Sequence, residues 1–286
     1  MLSRPVRRRV IRTVSAATLV LGTALTAPLT LAGTAGAATP SASAAVNAND
    51  WQLTYKAAAG QTNKATVTVS YTADRTGFTY LIDDVVPITA GHDCTYPVSS
   101  DHTKVSCTVT SVDSQDPYPG LVMDLGDLDD TLAYANNTDQ IYTYAEISLG
   151  AGNDRSTDSG RLDGAYVSGG AGNDTITVGA EGLAWGGDGS DTITASGGDN
   201  IVQGGAGNDT LHGGSGAQYL SGDDGNDTIT GGTNDDTLYG GKGNDVLYGN
   251  SGNDKLYGNS GNDKLYGGPG TDTLSGGPGT DVIRQG

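Results

Sequence analysis

Carboxylates recur in this chain with a regularity that catalysis does not need and cation binding does. Asp191, Asp209, Asp227, Asp245, Asp263 and Asp281 follow one another at intervals of 18 residues, and Asp174 precedes them at an interval of 17. A second series, Asp236, Asp254 and Asp272, runs offset by nine residues. It continues upstream as Gln218 and Asn200, which lack the carboxylate. Asp side chains and backbone carbonyls are hard oxygen donors, and cages of hard oxygens suit Ca²⁺. Acid–base hydrolysis uses one pair of carboxylates with separated pKa values, not a long series of equivalent ones. Asp and Asn also form tight turns without any metal, but that role does not explain like charges recurring at one position.

These aspartates are position 6 of a nine-residue repeat. From Gly186 to Arg284 the chain is 99 residues of unbroken nonapeptides, eleven in all, such as GGAGNDTLH, GNSGNDKLY and GGPGTDVIR. Gly holds position 1 in ten of them and position 4 in ten, Asp holds position 6 in nine, and position 8 is aliphatic in all eleven. One aliphatic between polar neighbours marks a three-residue strand showing a single side chain to a core. The six preceding residues form a turn, where glycine permits positive φ and close backbone approach. Two strands and two turns make a coil of 18 residues. Coils stacked about 4.8 Å apart give an all-β, parallel β-roll, roughly 26 Å long for these repeats. Stacking the coils also stacks the carboxylates, which opposes folding unless a cation lies between them.

The repeat is similar to the GGxGxDxUx nonapeptide of the RTX (hemolysin-type) calcium-binding family, of the secreted actinobacterial kind. The resemblance implies that each Ca²⁺ lies between two turns one coil apart, held by backbone carbonyls and the position-6 Asp of each. Carried onto this sequence, Asp174, Asp191, Asp209, Asp227, Asp245, Asp263 and Asp281 line one edge and enclose six sites. Asp236, Asp254 and Asp272 line the other and enclose two, so about eight Ca²⁺ are expected. On that edge Asn200 and Gln218 have no carboxylate to offer, and Gln218→Ala is expected to change neither the calcium count nor the calcium needed for folding. Asp154, in LGAGNDRST, is a candidate for a ninth site, weakened by a two-residue slip of register before Gly169.

The remaining chain supplies the setting. Residues 1–37 carry five Arg and no acid before an apolar stretch and an AGA site, which reads as a secretory signal peptide. Arg7–Arg12 loosely resembles a twin-arginine signal, but ordinary Sec export is the simpler expectation. Residues 38–46 read as a Ser/Ala-rich spacer. Residues 47–124 alternate apolar and polar residues and read as a small antiparallel β meander with little core, which caps the roll. Cys94 and Cys107 are the only cysteines, and an even count in an exported chain favours a disulfide. Residues 125–168 read as degenerate repeats that grade into the roll of residues 169–286. In LGDLDDTLA, Asp130 stands at position 6 and Leu132 at position 8.

Without the leader, ten basic residues face 33 acidic ones. Such a surface repels nucleic acid and anionic membranes. No HExxH, GxSxG or Walker A motif is present. His92, His102 and His212 read as exposed, and the adjacent Asp83 and Asp84 would point to opposite faces of a strand. An enzyme is therefore not expected. Tyr239, Tyr248, Tyr257 and Tyr266 fall at outward position 9 of successive repeats. They suit either a stabilising cross-strand ladder or an adhesive, carbohydrate-binding face. The last repeat ends at Arg284, which leaves the final coil expected to lack a cap.

Overall fold

The computed structural model describes residues 40–111, 117–139, 143–160 and 164–286. The leader expected over residues 1–37 lies outside the described residues. The described residues form one compact unit. Its strands lie in two sheets, one of 12 strands and one of 13. From residue 118 onward successive strands alternate between the sheets, and each pairs in parallel with the strand one coil away. Position 8 sets this register. Ile193 lies opposite Leu211 and Leu211 opposite Ile229 in one sheet. Val202 lies opposite Leu220 and Leu220 opposite Leu238 in the other. From Ile193 to Leu265 these side chains are at most 1% exposed and form the inner core. At the far end Leu274 is half-buried, and Ile283 is 47% exposed.

Most strands of the roll are longer than the expected three residues. Tyr219–Asp224, Thr228–Thr233 and Lys255–Ser260 each have six. In several strands the ladder continues past position 9 into positions 1 to 3, as where Gly187 and Asp188 pair with Gly205 and Ala206, with the residue at position 2 at positive φ.

The N-terminal region differs from expectation in three ways. Residues 42–46 are not spacer: β1 (Ala42–Val46) is a strand between β2 (Leu53–Lys56) and β5 (Ile88–Ala90). Its Ala42, Ala44 and Val46 are buried, and Ala44 lies opposite Tyr55 of β2. The expected meander is split between the sheets. β3 (Lys64–Tyr71) and β4 (Gly77–Asp83) lie in the 13-stranded sheet with β6 (Cys94–Thr95) and β7 (Lys104–Thr110). Finally, the core there is substantial, with Leu53, Tyr55, Phe78, Tyr80, Ile82 and Ile88 at most 2% exposed.

β2 and β3 already have the form of a coil. β2 pairs in parallel with β8 (Tyr118–Asp124), and β3 with β9 (Thr131–Asn136). The antiparallel pairs β1–β2, β3–β4, β4–β7 and β6–β7 close that end of the roll. The expected degenerate repeats are true coils. β10 (Thr143–Ala151) joins β8 to β12 (Tyr166–Ala171), and β11 (Arg155–Asp158) continues the sheet of β9. Their extra residues fall between β9 and β10 and between β11 and β12, outside the paired segments.

Candidate metal centres

Each position-6 Asp is placed by the coil on either side. The backbone N–H of one Asp donates to Oδ1 of the Asp one coil further on. In the long column these bonds run Asp174 to Asp191, Asp191 to Asp209, Asp209 to Asp227 and Asp227 to Asp245, all at 2.8 Å. Asp245 to Asp263 follows at 2.9 Å and Asp263 to Asp281 at 3.0 Å. In the short column Asp236 donates to Asp254 at 2.9 Å, and Asp254 to Asp272 at 3.0 Å. Thus the structure brings the ten expected aspartates together in two columns, seven in one and three in the other.

The second carboxylate oxygen has no such partner. Oδ2 of Asp174, Asp191, Asp209, Asp227, Asp236, Asp245, Asp254, Asp263 and Asp272 is buried and accepts no hydrogen bond. The position-1 glycine makes room for it. A Cβ on Gly186, Gly204, Gly222 or Gly240 would overlap Oδ2 of the Asp in its own turn. The same Cβ would crowd the carbonyl oxygen of the position-1 glycine one coil on. These glycines are needed for space rather than for positive φ. A buried, unbonded carboxylate oxygen is costly. Anionic and carbonyl oxygens converging on one small space are the donor set of a hard cation, so these turns fit Ca²⁺.

Electrostatics agree. Burial pushes the carboxyls of Asp227 and Asp236 up to about 7 and those of Asp174, Asp209 and Asp245 up to about 6. Asp191, Asp254 and Asp263 are raised for the same reason. The donated backbone N–H pulls each value back, and repulsion from the next carboxylate adds to the rise in Asp227, Asp236 and Asp245. Without a cation these columns resist being charged together.

Three features go beyond the ten expected aspartates. First, Asp154 and Asp130 continue the long column despite intervals of 20 and 24 residues. Asp154 N–H donates to Asp174 at 2.8 Å, Asp130 N–H to Asp154 at 2.7 Å, and both Oδ2 atoms are buried and unbonded. The slip that weakened Asp154 as a candidate is absorbed between strands. Second, position 5 forms its own ladder in the opposite sense. Asn226 N–H donates to Asn208 Oδ1 at 2.8 Å, Asn244 to Asn226 at 2.8 Å and Asn262 to Asn244 at 2.9 Å. The recurrence of Asn beside the Asp was its visible signal. Third, Asn200 and Gln218 keep their places in the short column, and both side-chain amides bond to turn carbonyls.

Other residues singled out from the sequence fall elsewhere. Cys94 and Cys107 form the expected disulfide, pairing β6 with β7. His92 lies 3.0 Å from Asp93, and His102 stacks on Tyr96 with ring centroids 4.4 Å apart. His212 is exposed. Asp83 pairs with Lys104. Asp84 is buried and accepts from the Tyr55 hydroxyl, the Asn63 side-chain amide and the N–H groups of Lys64 and Val85. The tyrosines stack along the roll, Tyr239 on Tyr257 and Tyr248 on Tyr266, with centroids 5.0 Å apart in both pairs.

The model of the RTX calcium-binding nonapeptide repeat, four copies long, matches residues 165–181, 185–220, 213–247, 221–256 and 248–283. These segments contain all ten expected aspartates and stop short of Asp130 and Asp154. No curated protein matches the chain.

Proposed function

We propose, for a chain whose roll is built of RTX calcium-binding nonapeptide repeats, a non-enzymatic role outside the cell. Calcium assembles its roll, and the roll serves as a structural or surface-interaction module. The unbonded, buried Oδ2 atoms of the two columns carry this reading. Asp174, Asp191, Asp209, Asp227, Asp245, Asp263 and Asp281 would hold six ions between them, and Asp236, Asp254 and Asp272 two. The intervals Asp130/Asp154 and Asp154/Asp174 offer two further places. Leu125 and Leu149 stand there where the regular turns have Gly, so these fill last. About eight Ca²⁺ would offset roughly 16 negative charges. The leader at residues 1–37 supports export to a compartment where calcium is millimolar. There, modules of about 10⁻⁴–10⁻³ M affinity fill.

Native mass spectrometry of chelator-stripped protein titrated with Ca²⁺ tests the reading. Eight to ten ions are expected, while a count of two or fewer contradicts it. A second reading, a carbohydrate-binding adhesin, is favoured by one observation. Tyr219 joins the Tyr239–Tyr257 stack at 5.2 Å. Beside it runs a shallow trough of about 510 Å³ lined by Tyr219, Tyr239, Asp223 and Lys242. A glycan array probed in calcium separates the readings, because a pure scaffold binds none of its sugars.

A further inference from the structure

Gln218 is the residue at which the short column departs most from its neighbours. It keeps the backbone bond of the series, its N–H donating to Asp236 Oδ1 at 2.8 Å. Its side chain, however, is 3% exposed and turns into the space between two stacked turns. Nε2 there approaches three carbonyl oxygens: Gly197 at 2.6 Å, Ser215 at 3.1 Å and Gly216 at 3.2 Å. Gly197 belongs to the turn one coil earlier, and the other two to Gln218's own turn. Asn200 completes the arrangement, its Nδ2 donating to Gly197 at 3.0 Å and to Gln218 Oε1 at 3.2 Å.

An amide NH₂ has only two hydrogens. Three carbonyls from two turns, converging on one nitrogen, are more acceptors than it can serve individually. That convergence is instead the donor arrangement of a cation cage. The amide brings the positive end of a dipole to the same point, and its length is what lets it reach. An Asp at this position is one methylene shorter and would leave the carbonyls for an ion.

We infer that Gln218, braced by Asn200, is a built-in substitute for a calcium ion, so that this interval of the short edge is closed by protein rather than by metal. The inference rests on the calcium reading of the other turns. Its consequence is a roll with unequal edges. The long edge needs an ion at every coil, while the short edge is tied without metal at the turns of Asn200 and Gln218. Replacing the amide by a carboxylate should restore the missing site.

Ion counting by native mass spectrometry on the full chain tests this. Gln218→Asp should bind at least one Ca²⁺ more than the wild type at saturation. Gln218→Ala should bind the same number as the wild type. It should also speed hydrogen exchange at Gly197–Gly216 in the calcium-loaded protein by about tenfold, as expected for lost buried hydrogen bonds. A Gln218→Asp protein that folds and binds only the wild-type number overturns the inference. So does a Gln218→Ala protein with wild-type exchange, which decides the matter if Gln218→Asp does not fold. If the wild type itself binds no calcium, the calcium reading fails instead.

Discussion

At the scale of the residue, each turn carboxylate divides its work. Oδ1 is held by the preceding coil, and Oδ2 faces a space kept open by a glycine. Asp245 lies mid-column, so on the proposed calcium reading Asp245→Ala takes a ligand from two intervals. It should lower the ion count by up to two and raise the calcium midpoint of folding, measured by native mass spectrometry and circular dichroism. Gly240→Ala removes no ligand, yet its methyl would overlap Asp245 Oδ2 and crowd the Gly258 carbonyl. A comparable rise in calcium midpoint is expected, and a wild-type midpoint would show that the space is not used. The carboxyls are also proton sites. Burial raises them in the folded state to about 6 for Asp245 and about 7 for Asp227 and Asp236. Groups raised on folding favour the fold while protonated. That contribution is full below the usual Asp value of about 4 and is lost as pH rises through about 6 to 7. Chelated protein should therefore gain β structure on acidification from neutral pH, and calcium affinity should fall over the same window. Circular dichroism that is flat with pH in chelator would contradict this.

At the scale of the element, the first coil is closed by protein groups. Asn63 is fully buried, and its N–H donates to Asp130 Oδ1 at 2.6 Å, as the Asp N–H does in later turns. Asp84, bonded by Tyr55, Asn63, Lys64 and Val85, finishes the column with a satisfied carboxylate. Asp84→Ala takes the acceptor from the buried Tyr55 hydroxyl, at a cost of about 1–3 kcal/mol if that donor is left unsatisfied. It should lower the thermal midpoint of the calcium-loaded protein without changing the ion count. A changed count would place Asp84 among the ligands. Much of the roll was legible because position 8 and position 6 repeat, and repetition fixes both the inward side chain and the stacked carboxylate. What escaped does not repeat. ASAAV at Ala42–Val46 looks like spacer because its small side chains carry little hydrophobic signal, yet the sheet buries three of them. The division of β2 and β3 between sheets depends on their long-range partners β8 and β9, which no local pattern announces. Asp130 and Asp154 were obscured by intervals that count residues outside the strands. Gln218 looked like a lost ligand because a one-letter sequence does not show where an amide nitrogen ends up.

At the scale of the whole molecule, two sheets share one core but not one source of stability. The largest fully buried side chains, Tyr55, Tyr80, Phe78 and Leu53, belong to the N-terminal coil and its antiparallel strands, which the Cys94–Cys107 disulfide also crosslinks. Beyond Ala195 the inner core is one aliphatic per strand, and the turns hold most of the acid. Order should therefore persist at the N-terminal end when calcium is withdrawn and be lost along the repeats. Among the described residues no helix is long and apolar enough to cross a membrane. The most direct test is far-ultraviolet circular dichroism of the protein, first in chelator at neutral pH and then with millimolar Ca²⁺. A large, saturable gain of β signal on adding calcium, absent with the same concentration of Mg²⁺, is expected. An identical β spectrum in chelator and in calcium would contradict a roll assembled by calcium.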